Sequence, residues 1–93
     1  MANECFEYDT TYWHHDLLSI PNVQNATACK DECQSNPNCK VFTYVTNEAD
    51  WLLHTNKKRC YLKKESAVRT DPESRNGVVS GKMSCFNSKY TLV

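Results

Sequence analysis

The sequence lacks several features that define common functional classes. Its eleven basic and eleven acidic side chains cancel, so no net field draws nucleic acid or an anionic membrane from a distance. No apolar run approaches the ~20 residues of a membrane-spanning helix, which predicts no direct insertion into a bilayer. Only two glycines are present, and neither a glycine-rich phosphate loop nor an HExxH zinc motif occurs. Any partner is therefore expected to be recognised locally.

What the chain does contain is cysteine. Its 93 residues make one small domain, and a chain of this size buries only a little over ~60% of its unfolded surface, so cross-links are the expected remedy. The six cysteines predict a disulfide scaffold formed in an oxidising compartment, hence a secreted, luminal or surface-exposed protein. Met1 is followed by Ala2-Asn3-Glu4 rather than by a basic and apolar signal, so we expect residues 1–93 to be a module of a longer, multi-module secreted protein.

The stretch from Cys29 to Cys39, CKDECQSNPNC, holds three of the six cysteines. A helix is predicted over Ala26–Gln34, because Asn25 is a good N-cap, no glycine or proline follows, and the run SNPN ends the pattern. Cys29 and Cys33 lie on one side of this helix with Cβ atoms about 5–6 Å apart, whereas a disulfide needs about 3.8 Å. Each is therefore predicted to bond a different partner.

Four segments have the composition of strands, and the clearest is CKVFTYV, which is rich in β-branched and aromatic residues. Phe42 in this strand and Leu62 in a neighbouring one are predicted core residues beneath the helix. Gly81 indicates a bulge or a close backbone approach. The predicted strands are 5–12, 39–45, 59–64 and 78–85, the predicted loops are 46–58 and 65–77, and 86–93 is a tail or a final short strand.

The six cysteines allow 15 pairings, of which 12 remain when Cys29 and Cys33 are not bonded to each other. Cys39 opens a strand just past the helix, which favours a short bridge to Cys33. Cys60 lies in the adjacent strand, where it can meet Cys29. The favoured pairs are thus Cys33–Cys39 and Cys29–Cys60, with Cys5–Cys85 joining the two ends of the domain.

The order of these features resembles the PAN/apple domain over essentially the whole chain. The features that carry the resemblance are Cys5, the CxxxCxxxxxC run from Cys29 to Cys39, FTY at 42–44, CYLK at 60–63, and SG at 80–81 before Cys85. The resemblance implies an α+β fold in which one helix packs on an antiparallel sheet of about five strands. It also implies that the cysteines pair first with last, second with fifth and third with fourth, as the geometry favours.

Apple modules occur in plasma protease zymogens and in the microneme adhesins of apicomplexan parasites, and this chain is most similar to the coccidian, Eimeria-type form. That implies a non-enzymatic module, secreted through micronemes to the parasite surface, which binds a partner adhesin or a host receptor during attachment and invasion. The alternative is a lectin domain for galactose-type or sulfated glycans, and a third possibility is a structural spacer in a tandem array. No cofactor and no metal are implied.

The sequence indicates neither a catalytic site nor a zinc site. Asp16, His14, His15 and Ser19 can be drawn as a triad, but such a set arises easily by chance in a short run. The spacing CxxxC followed by CxxxxxC fits no common zinc finger. We therefore predict no catalytic site and no metal site, and expect all six cysteines to form disulfides.

A basic cluster is the first candidate binding surface. Lys57, Lys58 and Arg59 precede Lys63 by one strand-length, and alternate residues of a strand share a face. These side chains are a candidate anion patch for sulfated glycans or acidic protein. The favoured interpretation is a solvated edge strand that charge protects against pairing.

Aromatic residues form the second candidate surface. Trp51 and His54 flank two leucines in a predicted loop, which indicates either a plug folded back on the domain or a contact patch. Tyr12 and Trp13 carry the same two interpretations, with the core favoured. Asn25 also begins the sequon NAT and is a possible glycosylation site, although its capping role alone explains it.

Overall fold

The computed structural model describes residues 5–48 and 57–90, the last three of them by their backbone alone. Within these ranges the chain forms five strands and three helices. None of the helices found there is long and apolar enough to cross a membrane. In chain order the elements are β1 (Glu7–Thr11), β2 (Asp16–Ile20), α1 (Ala26–Gln34), β3 (Val41–Val45), β4 (Cys60–Lys63), α2 (Glu65–Val68), β5 (Glu73–Lys82) and α3 (Met83–Tyr90).

The five strands form one antiparallel sheet in the order β1-β5-β3-β4-β2. The central strand β3 has all five residues buried, because β5 and β4 flank it and both of its faces are covered. Its β-branched and aromatic composition suits such a position. Strands β1 and β2 form the two edges.

Helix α1 begins and ends where the sequence predicts. The side-chain oxygen of Asn25 accepts a hydrogen bond from the Ala28 amide at 2.8 Å, which caps the first turn. The helix packs its buried cysteines against one face of the sheet, where Phe42 and Leu62 lie in the main core as predicted. Phe86 of α3 completes this core, at 0% exposure.

Three disulfides close the domain, and their pairing is the predicted one. The bridges, with their Cα–Cα distances, are Cys5–Cys85 (5.7 Å), Cys29–Cys60 (5.4 Å) and Cys33–Cys39 (5.2 Å). Two of them fix α1, one to β4 and one to the segment that enters β3. The third joins Cys5, just before β1, to Cys85 of α3.

Gly81 makes the predicted close approach, and its neighbours are aromatic side chains. A Cβ atom at this position would lie 2.7 Å from Cε1 of Phe42 and 2.7 Å from Cε2 of Phe86. Contacts this short do not occur between real side chains, so only glycine fits between the two rings without a shift.

Three sequence predictions are wrong in detail. The segment 83–90 is helix α3 rather than the end of a strand and a tail, because Met83 and Phe86, three residues apart, both bury their side chains in the core. Strand β5 starts at Glu73, inside the predicted polar loop, because its first residues pair with β1 through backbone hydrogen bonds that need no apolar pattern. The same loop also contains α2, and the unpatterned residues after Trp13 include β2.

Candidate functional site

A pocket of about 170 Å³ lies on the sheet face opposite α1. Residues that alternate along a strand project to opposite faces. Phe42 and Leu62 therefore face the helix, whereas their neighbours Thr43 and Tyr61 line the pocket. The lining combines aromatic, hydroxyl and charged groups and includes Thr11, Trp13, Asp16, Thr43, Tyr61 and Lys63.

One rim of the pocket is a tight turn between β1 and β2. His14 and His15 have successive positive φ angles of 68° and 63°, a left-handed conformation that is uncommon outside glycine, asparagine, aspartate and histidine. The turn is held by several contacts. The Lys63 ammonium donates to the His14 carbonyl at 3.1 Å and binds the Asp16 carboxylate, while the His15 ring nitrogen Nδ1 lies 3.0 Å from the Ser66 hydroxyl.

Lys63 is the central cation of this face. Its side chain is only 4% exposed, it forms an ion pair with Asp16, and its ammonium lies 5.5 Å from the centre of the Tyr61 ring. A buried charge needs such partners, because an unpaired one is costly to remove from water. The ion pair therefore places one acidic and one basic group together at the pocket.

The predicted row of Arg59 and Lys63 as an exposed anion patch is wrong for Lys63. Strand β4 is paired on both sides, by β3 and by β2, so the ammonium of Lys63 is covered by the turn that leads into β2. The favoured interpretation, a charged edge strand, is also wrong, since β4 lies inside the sheet.

Two aromatic side chains give the pocket its apolar surface. Trp13 is half-buried, and the Arg75 guanidinium lies 5.7 Å from its ring centre. Tyr61 is also half-buried, and burial is the main cause that raises the pKa of its hydroxyl above the ordinary value. The hydroxyl is therefore neutral at physiological pH and able both to donate and to accept hydrogen bonds.

Tyr12 also lines the pocket, but it belongs to the core, as predicted. Its side chain is 2% exposed and its hydroxyl donates to the Glu7 carboxylate at 2.7 Å. Burial, followed by this hydrogen bond and the charge of Glu7, raises the pKa of Tyr12. It packs with Val41 and Ala67 as a second small core beneath α2.

Of the remaining predicted surface residues, those that the structure describes do not line the pocket. Trp51 and His54 lie outside the described residues. Lys57 and Lys58 are exposed, whereas Arg59 is half-buried and donates from Nη1 to the Ser19 hydroxyl at 3.1 Å. The basic cluster thus consists of two exposed lysines and an arginine fixed against the neighbouring strand β2.

The residues of the hypothetical triad have separate partners. Asp16 binds Lys63, His15 contacts Ser66, and Ser19 accepts from Arg59. All six cysteines are bridged, and no group of three or more potential metal ligands occurs among residues 5–48 and 57–90. Asn25 is exposed and acts as the helix cap, while its glycosylation stays a prediction.

Comparison with known protein families matches residues 10–63 to the PAN domain. This chain belongs to the PAN domain family. The PAN domain is 32% identical over 82 residues to microneme antigen L2 of Sarcocystis muris, an alignment that covers 87% of this chain and 51% of that protein. The chain therefore spans about half the length of this curated relative.

The fold of this PAN domain is similar to a solved structure of the two N-terminal apple domains of Toxoplasma gondii microneme protein 4. The TM-score is 0.64 at 23% sequence identity, over 86% of this chain and 45% of the other. With the helix, the five-stranded sheet and the three bridges, this similarity confirms the predicted PAN/apple fold.

Two features of the PAN domain were not found from the sequence. Asp16 is the partner of Lys63, although 47 residues separate them, and no local pattern indicates the pairing. Leu17 and Leu18 of β2 are 37% and 43% exposed, and the sequence showed no periodicity there. The adjacent leucines were the available signal, since two successive apolar residues cannot both face one side of a strand.

Proposed function

We propose that this PAN domain is a non-enzymatic adhesion module of a secreted, microneme-type protein, acting at the parasite surface in host-cell attachment and invasion. It binds another adhesin or a host receptor by protein–protein contact and needs no cofactor. The observation that carries the proposal is the 32% identity to a microneme antigen over 87% of the chain. The chain serves as one module of a longer protein.

The architecture supports a binding role. Three disulfides hold the elements around a small core, so the scaffold is expected to keep its shape in an oxidising extracellular medium. Large apolar side chains remain at the surface, with Tyr8 at 64% exposure and Leu18 at 43%. Apolar and aromatic residues at the surface are the usual anchors of protein contacts.

A host-cell binding assay tests the proposal. The module is displayed in many copies on beads, because multivalency raises a weak affinity into a measurable one, and bound beads are counted on host cells and on cells treated with protease. We expect binding that protease treatment abolishes. Beads that carry the reduced and alkylated module are the control. Binding no higher than this control, to cells or to purified partner adhesins, would contradict the proposal.

The pocket opposite α1 supports carbohydrate binding as a second candidate function. Its volume of about 170 Å³ is below the ~300–1,000 Å³ of sites for drug-sized ligands, which suits a single sugar ring. Trp13 and Tyr61 offer apolar ring surfaces, and Asp16, Lys63 and Thr11 offer polar groups. Galactose-type sugars, which have one polar and one apolar face, match this combination.

A glycan array separates the two candidates. A lectin function predicts binding to neutral galactose-terminated sugars, with a loss of about tenfold or more for Tyr61→Ala, since the half-buried ring is a main apolar contact. The double variant Lys57→Ala with Lys58→Ala is the matched control, because both lysines are exposed and lie outside the pocket lining. It should leave binding of neutral sugars unchanged, and it tests whether the two lysines bind sulfated ones. An array without signal, together with retained protein binding, would remove the lectin function.

A further inference from the structure

Strand β2 is an edge strand of the sheet. It pairs with β4 on one side, and among the described residues no strand pairs with its other side. Every second residue of such a strand directs its N–H and C=O groups outward, where they offer hydrogen bonds to another extended chain. Leu17 and Leu18 in this strand are 37% and 43% exposed.

The helix-side face of this edge is a groove of mixed character, in which Leu18, Ile20, Leu62 and Pro37 supply apolar surface beside the polar Glu32, Ser35 and Asn36. Leu18 and Ile20 stand opposite Leu62 and Cys60 in the β4 register, so they project to the side of the sheet that α1 covers. Glu32, near the C-terminal end of α1, and Pro37, just beyond the helix, flank them. An apolar side chain from an added strand would enter this groove, whereas an acidic one would meet the Glu32 carboxylate.

The opposite face of the same edge carries a cation. Ser19 stands opposite Tyr61 on the pocket side of the sheet, and the Arg59 guanidinium donates to its hydroxyl at 3.1 Å. No carboxylate within the described ranges forms an ion pair with Arg59, whereas the nearby Asp16 is already bound by Lys63. A residue opposite Ser19 in an added strand would therefore be favoured if it were acidic.

We propose that β2 binds an extended segment of a partner protein as a sixth strand, with the pattern apolar–acidic–apolar opposite Ile20, Ser19 and Leu18. This inference rests on the proposed protein-binding function and names its site and the chemistry of its partner. Backbone hydrogen bonds supply affinity, and the groove and Arg59 supply specificity. A second copy of this chain is a poor occupant, because its own β2 offers serine where the acidic residue is needed.

The other sheet edge does not have these properties. In β1 the register shifts between Tyr8 and Thr10, Asp9 has a φ of 55°, and its carboxylate accepts from the Gly77 amide at 2.9 Å. Such an irregularity interrupts strand addition. The irregularity of β2 lies between Asp16 and Leu18, which leaves Leu18 to Ile20 regular and available.

The test is a titration of the ¹⁵N-labelled module with a synthetic eight-residue peptide in which Val-Glu-Val is flanked by threonine and lysine. We expect amide shifts centred on residues 17–20 and slower hydrogen exchange for those amides that the new strand covers. A peptide of the same sequence is the control when it is N-methylated on the alternate residues whose N–H groups would face β2, because it can no longer donate those backbone hydrogen bonds. Equal binding of both peptides would overturn the proposal.

Charge exchange tests the specificity. Arg59→Glu should weaken binding of the Val-Glu-Val peptide about fivefold and strengthen binding of a Val-Lys-Val peptide by a similar factor, as cross-strand charge pairs do. Leu18→Lys should abolish the shifts by placing a charge in the groove. Tyr8→Lys, at the opposite edge and 64% exposed, is the matched control and should bind as the unchanged module does.

Two results would overturn the inference and leave the proposed function standing. One is host-cell binding that persists unchanged in Leu18→Lys while the peptide leaves residues 17–20 unperturbed. The other is shifts in residues 17–20 that depend on the concentration of the module alone, which would assign this edge to a second copy. Failure of the unchanged module to bind cells or adhesins, despite peptide binding at β2, would instead remove the proposed function.

Discussion

The three disulfides are expected to differ in their contribution to stability, because they close loops of very different length. The bridges span 80 residues for Cys5–Cys85, 31 for Cys29–Cys60 and 6 for Cys33–Cys39. A bridge limits the conformational entropy of the unfolded chain, and this effect grows with the logarithm of the loop length. Replacing each pair with alanine therefore removes a different amount of free energy.

The loop-closure relation gives the expected sizes. Removing the bridge should lower the free energy of unfolding by about 4.5 kcal/mol for Cys5–Cys85, about 3.7 kcal/mol for Cys29–Cys60 and about 2.2 kcal/mol for Cys33–Cys39. Both sulfurs of Cys29–Cys60 are fully buried between α1 and β4. Their loss also leaves a small cavity, which adds to the entropic cost.

Guanidinium denaturation of the three double-alanine variants, followed by circular dichroism and tryptophan fluorescence, measures these differences. The unchanged domain, with all bridges formed, is the reference. The comparison between Cys29–Cys60 and Cys33–Cys39 is the most informative, since both bridges anchor the same helix and three of their four cysteines have no exposed surface. An equal or larger loss for the short Cys33–Cys39 bridge would refute the loop-length reasoning.

Three further predictions concern single side chains. Gly81→Ala should lower the free energy of unfolding by about 1–3 kcal/mol in chemical denaturation, since its Cβ would meet two buried rings. The added change Phe86→Leu should restore part of the loss. An unchanged free energy of unfolding in Gly81→Ala would contradict this packing. Asp16→Asn should lower the free energy of unfolding by about 1–3 kcal/mol, less than the loss for a fully buried ion pair because Asp16 is 43% exposed. Adding Lys63→Met to the same chain should recover stability in a thermal melt. No recovery would show that the unpaired ammonium is not the cause of the loss. Burial raises the folded-state pKa of Tyr12, Tyr44 and Tyr61, so these side chains ionise first in the unfolded chain. Their contribution to the free energy of unfolding is fully present below about pH 10. It is lost as the pH rises towards the folded-state pKa values. Denaturation midpoints should therefore fall above about pH 10, and they should fall less in Tyr12→Phe, where one such group is absent; an identical fall in both would contradict this account.

The sequence alone determined the elements whose residues carry their own signals. Asn25 and the uninterrupted run after it define α1, because capping and helix propensity act within a few residues. The β-branched and aromatic composition of 41–45 identifies the central strand. The spacing of the six cysteines restricts the bridges. Cys29 and Cys33 are four positions apart on a helix, so their Cβ atoms are too far apart to be joined by a disulfide.

The tertiary structure decided what depends on residues distant in the chain. Strand β2 and the first half of β5 exist because neighbouring strands supply their hydrogen bonds, and Phe86 is helical because its ring fills the space above Gly81. Lys63 looked like a surface charge, yet Asp16 and the turn before it cover the ammonium. Propensity and periodicity describe a residue and its near neighbours, whereas burial and charge pairing depend on which distant segments the sheet brings together.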